Sequence, residues 1–108
     1  MTSTIHAQIA RKIAQIEAEM KAIGYWQFEP LPDQAFDFHQ AFAMDTMTFP
    51  QWLQFVLIPR VAGIVEQQGD FPSESMVGTQ AIREFDGDET SSQLASLLSE
   101  FDEIINRQ

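Results

Sequence analysis

Apolar residues recur with helical spacing near both ends of the chain. Ile9, Ile13, Ile16, Met20 and Ile23 follow at steps of four, three, four and three, which predicts a helix from about residue 4 to Ile23 with one buried stripe. Ala7, Ala10, Ala14 and Ala18 flank that stripe and permit a neighbour to approach closely. Gly24 stands where a left-handed C-terminal cap is wanted, with Tyr25 folding back on the last turn. Near the other end Leu94, Leu97, Leu98, Phe101, Ile104 and Ile105 share one helical face, and Thr90 with Gln93 forms a capping-box pattern ahead of them. Two such stripes suit mutual packing.

Residues 45–66 follow a different pattern. Thr48 and Gln51 fit a capping box, and Pro50 falls in the first turn, where no N–H is needed. From Phe49 to Val65 apolar side chains occupy nearly every face, interrupted mainly by Gln51, Gln54 and Arg60, so this helix is expected at the centre of the domain, covered by its neighbours. It is too short and too interrupted for a membrane span, which needs about 20 mostly apolar residues. Pro59 lacks an N–H and crowds the carbonyl of Phe55, which predicts a kink at a cost of roughly 3 kcal/mol.

Between these segments, Pro30 and Pro32 predict a loop that ends with Asp33 as N-cap of a short helix over Gln34 to Phe38. Trp26, Phe28, Phe36, Phe38, Phe42 and Met44 are expected to lie over the central helix. Beyond a loop at residues 67–73, Met76, Val77, Ala81, Ile82 and Phe85 predict a helix over about Ser75 to Phe85, although Gly78 weakens it. Asp86-Gly87-Asp88-Glu89 reads as a hinge or mobile turn. The pattern therefore predicts an all-α fold, one domain over residues 1–108, with about four main helices around a proline-kinked central helix flanked by the first and last. No strand pattern, internal repeat or low-complexity segment competes with it.

A chain of 108 residues can bury about two thirds of its unfolded surface without metal or crosslinks. The absence of cysteine excludes disulfides and thiolate chemistry and is compatible with a reducing compartment. The first residues lack the continuous apolar core of a signal peptide, so a cytoplasmic location is expected. A net charge of −10 opposes direct nucleic-acid binding, which depends on neutralising phosphates with Lys and Arg. The charge is uneven: residues 61–108 hold ten acids against Arg83 and Arg107. A solvated acidic surface, or a face that docks a basic protein partner, follows from that balance, with Asp86, Asp88 and Glu89 as the candidate partner-binding residues.

Candidate chemistry is sparse. His39 precedes Asp45, but no serine motif, glycine-rich phosphate loop or spaced metal-ligand set accompanies them, so no catalytic set, metal or cofactor is expected. Asp45 suits the positive end of the central helix. Arg60 is the only positive charge between Lys21 and Arg83, and it lies roughly 18 Å along the helix from its start. Its expected role is an ion pair with a carboxylate from another element.

Asp45-Thr46, Phe49, Trp52-Leu53-Gln54-Phe55 and Ile58-Pro59-Arg60, with Gly24-Tyr25-Trp26 upstream and Phe71-Pro72 downstream, resemble the signature of the YqcC-like family of small bacterial helical proteins. The resemblance spans most of the chain. It departs at Phe55, where the family more often has tryptophan, and at Ala41, where it has proline. It implies an all-helical bundle in a family with no assigned catalytic role, linked by gene neighbourhood to a tRNA pseudouridine synthase.

Two readings of function follow. The first is a non-catalytic interaction or accessory protein, connected with tRNA modification, whose partner presents a basic surface, the pseudouridine synthase among the candidates. The alternative is a small-molecule-binding or enzymatic domain with a pocket near Pro59 and Arg60. There Arg60 would hold an anionic group, Trp52 or Phe55 would form an apolar wall, and Asp45 or His39 would supply acid–base chemistry. Oligomeric state is left open.

Overall fold

A computed structural model describes residues 4–108, and every regular element among them is helical. The α-helices are α1 (Ile5–Ala22), α2 (Phe49–Trp52), α3 (Ile58–Gln67), α4 (Val77–Glu84) and α5 (Ser92–Asn106). A wide π turn, Leu53–Leu57, joins α2 to α3 in one continuous central helix. Single 3-10 turns lie at Asp33–Phe36, Ala41–Ala43 and Glu89–Ser91.

Local chemistry sets both ends of α1, the second of them as expected. The Thr4 hydroxyl accepts from the Ala7 N–H at 3.1 Å. At the other end Gly24 takes a φ of 80° and the Tyr25 N–H returns to the Met20 carbonyl at 2.8 Å. Ile9, Ile16 and Met20 are fully buried, as are Leu94, Leu98 and Ile105 of α5, and each such side chain contributes about 1.5–3 kcal/mol by leaving water. The stripes of α1 and α5 do meet. α1 also packs on α3, while the broad contacts of α5 are with α1 and α4. The last helix therefore flanks the central one less than expected.

The central helix begins with the expected capping box: Thr48 and Gln51 exchange hydrogen bonds of 2.9 and 3.3 Å. Just ahead of Pro59 the ladder widens, and the Ile58 N–H reaches the Leu53 carbonyl rather than that of Gln54. The π turn is how this helix accommodates a residue without an N–H. Buried Gln54 is a second surprise in this apolar segment. Its carbonyl accepts from the Gln27 N–H at 2.9 Å and its amide donates to the Gln27 carbonyl at 2.6 Å, so one side chain clamps the loop after α1.

Residues 25–47 cover the central helix only in part. Phe42 packs edge-on to Trp52 at 5.0 Å, and Phe49 stacks on Trp52 at 5.9 Å. Trp26 and Phe38 are half-buried against the core. Phe28, Phe36 and Met44, expected to lie over the helix, are instead exposed, Phe28 to 93%. The short helix expected over Gln34 to Phe38 is one 3-10 turn preceded by Pro32, and Asp33 lies within it and does not cap it. Phe42 and Ala43 both adopt left-handed φ values, 57° and 53°. Each costs roughly 1–2 kcal/mol, offset here by the Phe42 ring contacts and the complete burial of Ala43.

α4 starts later than expected, and α5 decides where. The buried carboxylate of Asp102 accepts from the N–H groups of Val77 at 3.0 Å and Gly78 at 2.7 Å and from the Ser75 hydroxyl, satisfying two of the orphan donors of the first turn. Gly78 is buried where the helices touch, and a Cβ there would fall 2.6 Å from the Cα of Ser99. The glycine that weakened the helix in sequence is what lets it pack.

Candidate functional site

Two of the surfaces left by this packing differ in shape and charge. The first lies where the end of α4 meets the start of α5. Ile82, exposed to 62%, together with Phe85 and Ala95, lines an open groove of about 630 Å³ that Asp86, Asp88 and Glu89 also border. Asp86 and Glu89 are exposed and form no ion pair among the described residues.

Asp88 is committed inward. Its carboxylate accepts from the Tyr25 hydroxyl and, at 3.1 Å, from the Thr90 N–H, which it caps in place of the expected Thr90–Gln93 box. The Tyr25 hydroxyl is the main cause holding the Asp88 carboxyl below the usual carboxylate range, and the same bond raises the Tyr25 phenol. The Ser91 hydroxyl donates to the Asp88 carbonyl at 3.0 Å. Residues 86–89, expected to form a hinge or mobile turn, are thus a turn tied to the end of α1. Asp88 is a structural carboxylate, leaving Asp86 and Glu89 as the free acids of the trio.

The second surface is a narrower cleft of about 250 Å³ among α3, the start of α4, α5 and the loop at residues 70–76. Leu57, Val61, Phe71, Val77, Phe101 and Ile105 supply apolar walls. Its charged lining residues are Arg60 and Glu74. Arg60 is exposed and has no ion pair among the described residues, so the pair expected with a carboxylate from another element is not formed: the residue sits at the solvent edge of α3, where no charge has to be neutralised.

The other residues expected around Arg60 are elsewhere. Trp52 is buried in the aromatic cluster with Phe42 and Phe49, and half-buried Phe55 does not line the cleft. Asp45 closes its own turn, accepting from the His39 N–H at 2.9 Å and the Gln40 N–H at 3.4 Å. The His39 backbone bond is the largest cause of the lowered Asp45 carboxyl. The His39 ring is exposed, and neither residue borders the cleft. His6 is half-buried: its Nε2 lies 2.7 Å from the Gly69 carbonyl and its ring 4.9 Å from that of Phe71.

Sequence reasoning missed Ile82, Phe85 and Ala95 as groove residues because it used Ile82 and Phe85 only as apolar positions of a helix and did not place Ala95 against them. Glu74 was one acid among ten. Its place in the same cleft as Arg60 depends on how the 70–76 loop returns to α3, which spacing along the chain does not encode. Among the described residues no helix is long and apolar enough to cross a membrane.

Comparison with known proteins places these features in context. Residues 8–104 match the family DUF446, described as tRNA pseudouridine synthase C. An uncharacterized protein of Haemophilus influenzae is 28% identical over 102 residues, 92% of this chain and 93% of that one. Protein YqcC of Escherichia coli is 36% identical over 70 residues, 64% of this chain and 63% of its own. A solution NMR structure of YqcC from E. coli superposes with a TM-score of 0.85, covering 96% of this chain and 90% of that one at 24% identity, which shows a common fold. A tRNA pseudouridine synthase C of Pectobacterium carotovorum is 29% identical over 65 residues, 60% of this chain but only 17% of that enzyme.

Proposed function

This chain belongs to the YqcC-like family represented by DUF446, and on that premise we propose that it is a non-catalytic accessory protein that docks onto a tRNA pseudouridine synthase. The observation that carries the reading is the groove between α4 and α5, with an apolar floor from Ile82, Phe85 and Ala95 and a border that includes the free acids Asp86 and Glu89. Apolar area supplies affinity, and the acids select a basic counterpart and speed its approach. An enzyme that holds tRNA must present Lys and Arg to the phosphates, so it offers the complementary charge. The similarity to a 65-residue segment of the Pectobacterium enzyme supports the pairing, since a module found within one synthase has a natural role beside another. The tie between Asp88 and Tyr25 keeps the groove preformed, which lowers the ordering cost of binding.

Calorimetry with the pseudouridine synthase of the same organism tests this. The reading expects a complex that weakens as salt rises. Replacing Ile82 by Ser, or neutralising Asp86 and Glu89 together, should weaken it by roughly tenfold or more, while thermal unfolding stays close to wild type. Absence of a complex at low salt, or a complex indifferent to these substitutions, overturns the proposal.

A further inference from the structure

The cleft beside Arg60 is held open by bonds that do not involve its lining charges. The Asn106 side chain accepts from the Ser75 N–H at 2.7 Å and donates to the Ser75 carbonyl at 3.1 Å, while the Gln108 amide donates to the Pro72 carbonyl. Ser75 is further tied to Asp102, and His6 holds Gly69 at the other end of the loop. One wall, the 70–76 loop, is therefore pinned to α5, and the opposite wall is the helical surface of Leu57 and Val61.

Size and charge limit what such a space takes. About 250 Å³ exceeds the roughly 150 Å³ of an apolar cavity that accepts benzene, and falls short of the roughly 300–1,000 Å³ of sites for drug-sized ligands. A branched or aromatic side chain fits that range. Arg60 and Glu74, both exposed and neither in an ion pair among the described residues, are the charged members of the lining. An apolar carboxylate would face Glu74 as a like charge, and an apolar amine would face Arg60. A molecule with an ammonium and a carboxylate attached to one carbon offers an opposite charge to each.

We infer that this cleft binds a free α-amino acid with an apolar side chain. The ligand carboxylate pairs with the Arg60 guanidinium, its ammonium pairs with the Glu74 carboxylate, and its side chain lies against Val61, Val77 and Ile105. The site is separate from the α4–α5 groove and does not depend on the docking role.

Methyl-labelled protein titrated with L-leucine provides the test, read by NMR. Saturable shifts are expected at the methyls of Val61, Val77 and Ile105. The analogues 4-methylpentanoate, which lacks the ammonium, and 3-methylbutylamine, which lacks the carboxylate, should each bind roughly tenfold more weakly. Arg60→Ala and Glu74→Gln alter exposed residues, so the rest of the spectrum should persist while leucine binding falls by a similar factor. The inference is overturned if leucine, methionine and phenylalanine all leave those methyls unmoved, if 4-methylpentanoate matches leucine, or if neither substitution changes the leucine affinity.

Discussion

At its N-terminal end α4 packs closely on α5 and is capped by it, whereas at its C-terminal end the same two helices border an open groove. At the first end Gly78 brings the backbones so close that a methyl group has no room, and Asp102 is buried with three donors aimed at it. At the second end Ile82 and Phe85 line a groove floor, and Asp86 and Glu89 face water. Both ends carry acids of the same chain half, yet one acid is internal structure and two are available surface. A count of ten acids therefore overstates the charged face: Asp102 is buried, Asp88 is bound by Tyr25, and Glu100 pairs with Lys12 at 3.2 Å.

Asp102→Ala should have the largest effect on this contrast, because it leaves the Val77 and Gly78 N–H groups buried without an acceptor. A loss of about 3 kcal/mol is expected in chemical denaturation, and a loss below about 1 kcal/mol would mean that the closed end is not held by this carboxylate. Gly78→Ala comes next, at about 2 kcal/mol, as α4 is levered off Ser99. Gly63→Ala is the matched control. Gly63 lies within α3 with nothing inside 4 Å of an added Cβ, so the same substitution should stabilise by about 0.5–1 kcal/mol. Equal signs at the two positions would remove close packing as the explanation of Gly78.

At the open end, the Tyr25–Asp88 bond predicts a pH dependence. Asp88 is lowered when folded, so its contribution is present above the ordinary carboxylate range and is lost as pH falls through the lower folded value. Tyr25 is raised, so its contribution is complete below the ordinary phenol range and is lost as pH rises through the higher folded value. Wild type should therefore melt above Tyr25→Phe between roughly pH 5 and 9, with the two converging towards either extreme. The absence of a gap at every pH would show that ring packing on Phe85, which Tyr25→Phe keeps, holds the turn without the hydroxyl. The smallest effect is expected from neutralising Asp86 and Glu89, within about 0.5 kcal/mol in stability, since their proposed role is outside the fold.

Much of the fold was legible because it follows from periodicity and local capping. The α1 stripe from Ile9 to Ile23, the α5 stripe from Leu94 to Ile105, the Thr48–Gln51 box and the Gly24 cap each need only neighbours a few residues away. The candidate sites were legible in part. Arg60 does border a cleft and Asp86 and Glu89 do border a groove, but Trp52 lies in the core, Asp45 and His39 close their own turn, and Phe55 does not line the cleft.

The sequence by itself determined which segments become helices and which faces are apolar, since a side chain's position around a helix depends only on its place along the chain. Only the tertiary structure decided that Gln54 clamps the loop after α1, that Asp102 caps α4, that Gly78 is a contact, and that Glu74 and Arg60 line one cleft. Each of these joins residues more than 10 positions apart, where packing of the whole chain, and no local spacing, sets the distance.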